Sequence, residues 1–179
     1  MCAAEVDQAL ALPADQIADA LLALPEGQWF ERKSGRVDGR SLAIPLVAMG
    51  NAEGGCIVVG LHGGRVEGIE SSKVNALRQA AVDFTRPVVR ARPEELVVSM
   101  GGEQRTLLVI RVDPGERVHE TTAGDCYLRV GDESRKLGFA QRQELEFERG
   151  GAPYDGTRVA AAVSDLSPAQ LQAYRASIG

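Results

Sequence analysis

Apolar and polar positions along this chain separate into helical and extended stretches. Val6 to Leu24 carries apolar residues at helical spacing, with Ile17, Leu21, Leu22 and Leu24 on one side. Pro13 suits a helical first turn there, and Pro25 ends the segment. Trp29 to Lys33 alternates aromatic and charged residues, which predicts a strand. Trp29, Glu31 and Lys33 then share one face, and Phe30 and Arg32 the other, with Phe30 turned to the core. After a polar loop, Asp38 or Ser41 caps a helix over 42–51, and Pro45 falls in its first turn if Ser41 is the cap.

The run from Cys56 to Leu61 is continuously apolar and β-branched, which predicts a fully buried strand. His62-Gly63-Gly64-Arg65 reads as a hairpin turn with a return strand over 66–69. Ser71 or Ser72 is expected to cap a helix reaching Phe84. Residues 87–100 read as extended, Gly101-Gly102 as a turn, and 106–112 as the strongest strand of the chain. A polar loop over 118–125, a strand over 126–130 and a helix over 140–149 follow. This order of hairpins and helices predicts an α+β fold: a single domain with one mixed sheet flanked by helices over 1–150. Gly150-Gly151-Ala152-Pro153 reads as a linker. Ser167-Pro168 opens a last helix, so 151–179 is expected to be a C-terminal helical arm.

Composition narrows the class. The 179 residues are 44% hydrophobic and 25% charged, ordinary for a globular protein. No apolar run reaches the ~20 residues of a membrane span. The N-terminus has neither a basic region nor an apolar core of the secretory kind, so the cytoplasm is the expected compartment and no membrane partner is expected. The three cysteines are far apart, with no Cys-x-x-Cys pair. Cys56, His62, His119 and Cys126 lack the spacing of a structural zinc site, so no metal is expected. The net charge of −5 argues against a general nucleic-acid coat. Between Glu31 and Arg40, however, Arg32, Lys33, Arg36 and Arg40 outnumber Glu31 and Asp38. That is a local basic patch.

Four segments carry a family resemblance. They are Phe30-Glu31-Arg32-Lys33, Ala48-Met49-Gly50-Asn51-Ala52-Glu53-Gly54-Gly55, Val59-Gly60-Leu61-His62 and Tyr127-Leu128-Arg129-Val130-Gly131. In this order they resemble the Schlafen-type domain, a divergent Alba-like family described as DNA-binding. Gly50 and Ala52 replace the family's usual Phe and its Thr or Ser. The resemblance implies a nucleic-acid-binding module, often the N-terminal part of a bacterial transcriptional regulator, without catalysis. In the eukaryotic Schlafen nucleases, carboxylates at the Glu26 and Glu31 positions form two thirds of an acidic triad that holds Mg²⁺ or Mn²⁺. The third position falls near His62 or Gly63, where this chain has no carboxylate. Glu26 and Glu31 are therefore catalytic candidates only under a metal-dependent ribonuclease reading, and otherwise no cofactor is expected.

Lys33 matches the family lysine. Arg32, Lys33, Arg36 and Arg40 are the residues expected to touch phosphates, as long cations beside a Gly-containing loop. Arg129 is expected either to complete a basic surface with Arg135 and Lys136 or to pair with Glu31. Asn51, Gly54 and Gly55 are expected to shape the turn after the helix. A protein-interaction or assembly module is the remaining alternative, and a homo-oligomer is compatible with every one of these readings. No Walker-type loop or nucleophile elbow occurs.

Overall fold

A computed structural model describes residues 3–150, together with Ser167, Gln172 and Ala176. Apart from those three positions, the expected linker and closing helix over 151–179 lie outside the described residues. The chain begins with two short helices, α1 (Ala3–Leu10) and α2 (Ile17–Ala23), where the periodicity implied a helix running on from Pro13. Pro13 has no N–H to donate and disfavours helical backbone at Leu12, so the segment turns before Gln16 and Ile17 bond back to the Pro13 carbonyl. Strand β1 (Phe30–Lys33) leads into α3 (Gly39–Gly50). Asp38 is the α3 cap, its Oδ1 accepting from the Ser41 amide at 2.8 Å. Pro45 thus sits in the helix interior rather than its first turn. It is buried, and Ser41, whose carbonyl loses its helical partner, is exposed to water.

The apolar run after Gly54 is broken at Gly60, whose φ of +106° ends β2 (Gly55–Val59) before β3 (Leu61–His62). The return strand β4 is only Arg65–Val66, because Gly68 turns at φ +72°. Helix α4 (Ser71–Arg78) follows Glu70, which replaces the expected serines at the cap position, and gives way at Gln79 to α5 (Ala80–Phe84). Then come β5 (Thr85–Arg86), β6 (Ala91–Met100), β7 (Glu103–Val112), β8 (Glu120–Thr121), β9 (Tyr127–Val130), β10 (Glu133–Lys136) and α6 (Phe139–Glu148).

The main sheet has the order β1-β2-β7-β6, with β1 parallel to β2 and the other pairs antiparallel. It is the mixed sheet of an α+β domain. Three two-stranded ribbons, β3–β4, β5–β8 and β9–β10, surround it. Both faces of the sheet are covered. Phe30, Cys56, Val58, Leu107 and Val109 pack against α1 and α2. Ile57, Val59, Leu108 and Ile110 pack against α3, α4 and α5. Each such fully buried side chain contributes roughly 2 kcal/mol. The β1–α3–β2 crossover brings the carboxyl ends of β1 and β2 and the start of α3 to one end of the molecule. Among the described residues no helix is long and apolar enough to cross a membrane.

Candidate nucleic-acid interface

The carboxyl ends of β1 and β2 open into a cleft of about 690 Å³. Crevices at strand ends are common ligand sites in open sheets with crossover helices. Period-two alternation places Glu31 and Lys33 on the α3 side of β1, as expected, but that side is not open. Glu31 is only 7% exposed. Arg129 reaches across from β9, itself 2% exposed, and its Nη1 meets Glu31 Oε2 at 2.5 Å. The same guanidinium donates to the Gly27 carbonyl at 2.8 and 3.0 Å and to the Phe30 carbonyl at 3.2 Å. Lys33 Nζ takes the other oxygen, Glu31 Oε1. Two cations thus share one carboxylate, and the trio carries one net positive charge.

Of the two expectations for Arg129, the pair with Glu31 is formed and the basic surface with Arg135 and Lys136 is not. Arg129 is interior and tied to Glu31, while Arg135 pairs with Glu133 and Lys136 with Asp125 on the exposed β9–β10 ribbon. The Asp125 carboxylate pushes the Lys136 ammonium above its ordinary range. Neither Arg135 nor Lys136 lines the cleft. The cations from 32 to 40 also diverge. Arg32, Lys33 and Arg36 line the cleft, but Arg40 does not; its guanidinium lies 5.2 Å over the Phe84 ring in another depression. Arg32 points to the α2 side and donates to the Leu22 carbonyl at 2.7 Å. Arg36 is exposed and forms no salt bridge among the described residues.

Glu26 and Glu31 both line the cleft. Glu26 Oε1 accepts from the Arg32 amide at 2.7 Å, closing an otherwise open N–H on the edge strand β1. A third carboxylate, Asp132 in the β9–β10 turn, lines the same cleft. Nothing in the sequence pointed to it, because the ribbon that delivers it is about a hundred residues downstream. A divalent cation does not fit these carboxylates as they stand. Both Glu31 oxygens are held by cations, and among the described residues no three His, Cys, Asp or Glu side chains converge as a ligand set. The Cys and His set considered from sequence is equally dispersed.

The loop after β1 is held by Glu67, which the sequence places in the return strand over 66–69. Its Oε2 accepts from Ser34 Oγ at 2.5 Å and from the Gly35 amide at 3.2 Å. The Ser34 hydroxyl foremost, with the Gly35 amide and the nearby Arg36 and His62, holds the Glu67 carboxyl below its ordinary range.

Asn51 lies far from the cleft, at the other end of α3. Buried at the helix end, it donates through Nδ2 to the His119 carbonyl at 2.7 Å and the Tyr127 carbonyl at 2.9 Å, and accepts from the His119 amide at 2.7 Å. It pins the 119–127 segment to α3. Gly54 has φ +80°, and a Cβ there would lie 2.5 Å from the Val112 carbonyl oxygen. At Gly55 a Cβ would meet the Trp29 carbonyl oxygen at 2.9 Å. These residues build the turn and let β2 lie against its neighbours.

No curated protein matches this sequence. Among solved structures, that of the DIP2311 protein from Corynebacterium diphtheriae is similar, with a TM-score of 0.55 and 22% identity. The match covers 95% of this chain and 34% of that one, so this chain spans about a third of that protein's length. At this identity the likeness is one of fold. The family model described as "Schlafen, AlbA_2" matches residues 26–138, more than half of the chain, from the cleft carboxylate Glu26 through the Arg129 strand to the end of the β9–β10 ribbon. The chain belongs to the Schlafen, AlbA_2 family.

Proposed function

We propose that this domain binds nucleic acid as a module of a cytoplasmic bacterial transcriptional regulator, and that it does not cleave what it binds. The observation that carries this reading is the state of Glu31. Its carboxylate serves as counter-ion to both Arg129 and Lys33, which leaves that trio with one net positive charge, and the exposed Arg36 stands at the cleft mouth. Such a site attracts phosphate, and its long cations position a backbone without reading bases. Family membership supports nucleic acid as the partner. The acidic balance of the whole chain fits local, salt-sensitive binding rather than coating.

The second reading, a metal-dependent ribonuclease, has one observation in its favour: Asp132 joins Glu26 and Glu31 at the same cleft. One experiment separates the two. Labelled duplex DNA, single-stranded DNA and structured RNA are titrated with the protein at several salt concentrations, with and without Mn²⁺, and the products run on a gel. Binding that weakens with salt and leaves the product intact is expected. Metal-dependent cleavage that disappears in Glu31→Gln would establish the nuclease. Absence of binding to all of them would leave a protein-interaction module.

A further inference from the structure

The cleft at Lys33 has a neighbour. A second, of about 650 Å³, opens on the far side of the β1–α3 loop, with Lys73 and Arg105 in its lining. Arg36 lines both. The ridge between them is the Ser34–Arg36 segment, and it is held rigidly. Ser34 Oγ and the Gly35 amide both donate to Glu67 Oε2. Gly35 lies so close to the chain after β4 that a Cβ on it would come within 1.8 Å of the Gly68 carbonyl oxygen. The result is a fixed saddle with the exposed Arg36 on its crest.

Three cations, Arg36, Lys73 and Arg105, line the second cleft against two carboxylates, Glu67 and Glu70. Glu67 is already committed to the saddle. Lys73 forms no salt bridge among the described residues, and Arg105 holds only Glu103, at 2.5 Å in an exposed pair. Such pairs contribute little, so a phosphate competes with Glu103 readily. Neither cleft has a Phe, Tyr, Trp or His ring deep in its lining apart from the exposed His62 at one mouth, so successive bases have no stacking platform. The cations can grip only the phosphodiester backbone. A backbone that enters both clefts has to bend over the ridge between them, which a flexible single strand does at little cost and a stiff duplex does not.

Resting on the nucleic-acid reading above, we propose that a single strand of DNA or RNA crosses the saddle. Its backbone sits astride Arg36 in the first cleft and continues into the second against Lys73 and Arg105. The second cleft thereby extends the binding track beyond the family's own motif residues, and it sets the minimum length of strand that binds tightly.

The test uses the full chain and single strands from about 4 to about 16 nucleotides, the range of single-strand site sizes. For wild type, affinity rises with length as the second cleft fills. The variant Lys73→Ala, Arg105→Ala is expected to bind the longest strand about tenfold more weakly, with its salt slope shallower by roughly 0.7 per lost phosphate contact. The shortest strand is expected to be unaffected. A long abasic strand is expected to bind within about threefold of the normal one, since no stacking is lost. If the double variant keeps wild-type affinity and slope on the long strand while Arg36→Ala weakens it, the crossing is wrong and the nucleic-acid reading stands. Binding of duplex in preference to single strands also overturns the crossing. Failure of wild type to bind any strand overturns both.

Discussion

Removing the Arg129 guanidinium leaves the buried Glu31 carboxylate with only Lys33 to balance it, and frees the Gly27 and Phe30 carbonyls from their donor. Breaking a buried ion pair from one side costs about 3–5 kcal/mol. Arg129→Ala is therefore expected to lower the unfolding free energy by about 3 kcal/mol, read by chemical denaturation, since Lys33 still offsets part of the charge. Glu31→Leu combined with Arg129→Met is expected to cost less than Arg129→Ala alone, because no charge is then stranded. A double variant as unstable as the single one would show that the carbonyl contacts, not the ion pair, hold the ribbon. His119 tests burial in a different way. Burial foremost, with the Arg149 charge adding to it, holds its imidazole below the ordinary value of 6.5 despite its bond to the Pro87 carbonyl. The unfolded chain takes up a proton near pH 6.5 while the folded one stays neutral, so the unfolded state binds more protons and stability falls as pH drops. The melting temperature is expected to decline from about pH 7 to about pH 5, and the decline to flatten in His119→Gln. The Asn51 bonds go to the His119 backbone and survive that substitution.

At the scale of elements, the saddle depends on the β1–α3 loop lying against the chain after β4 with no side chain between. Gly35→Ala places a methyl group on the Gly68 carbonyl, backbone against backbone, so the loop must lift. Overpacking of this kind costs typically 1–3 kcal/mol, and here it also displaces Arg36, so nucleic-acid affinity is expected to fall together with stability. Gly35→Ala with unchanged binding at low salt would remove the saddle from the interface. β1, α3 and β7 were legible in the sequence because each carries its own periodicity and punctuation: alternation at 30–33, the Asp38 cap, and the β-branched run ending at Asp113. The breaks at Pro13, Gly60 and Gln79 were not, since the surrounding apolar spacing continues through them. Strand β10 was missed because Glu133–Lys136 is polar on both faces and exists only by pairing with β9. Within the site, the shared face of Glu31 and Lys33 followed from period two. Asp132 and Glu67 did not follow, for they reach the cleft and saddle through contacts that only the folded chain makes. The same holds for Arg135 and Lys136, whose acidic partners Glu133 and Asp125 are set by the ribbon.

At the scale of the whole molecule, the crossover separates two tasks. Helix α3 runs from the cleft end, where Asp38 caps it, to the far end, where its last carbonyls have no helical donors. Arg149, just past α6, supplies those donors. Its guanidinium meets the carbonyls of Asn51 at 2.6 Å, Ala52 at 3.2 Å and Gly50 at 3.4 Å, and also the Gly115 carbonyl. A cation at this end is further favoured by the helix dipole. With the buried Leu145 and the Arg142–Glu120 pair, this side chain binds α6 to the core, beside the Asn51 pin and remote from the phosphate-facing cations. Hydrogen bonds from a charged donor contribute about 1.5–3 kcal/mol, so Arg149→Ala is expected to destabilise the domain by about 2–3 kcal/mol in thermal or chemical unfolding. Arg149→Lys recovers only part of this, since a single ammonium cannot span four carbonyls as the planar fork does. Below the melting temperature both variants are expected to bind single strands with wild-type affinity and salt slope, because the cleft and saddle sit at the opposite end of α3. A loss of binding in folded Arg149→Ala would mean that the two ends are coupled through α3, and that α6 takes part in recognition rather than only in holding the fold.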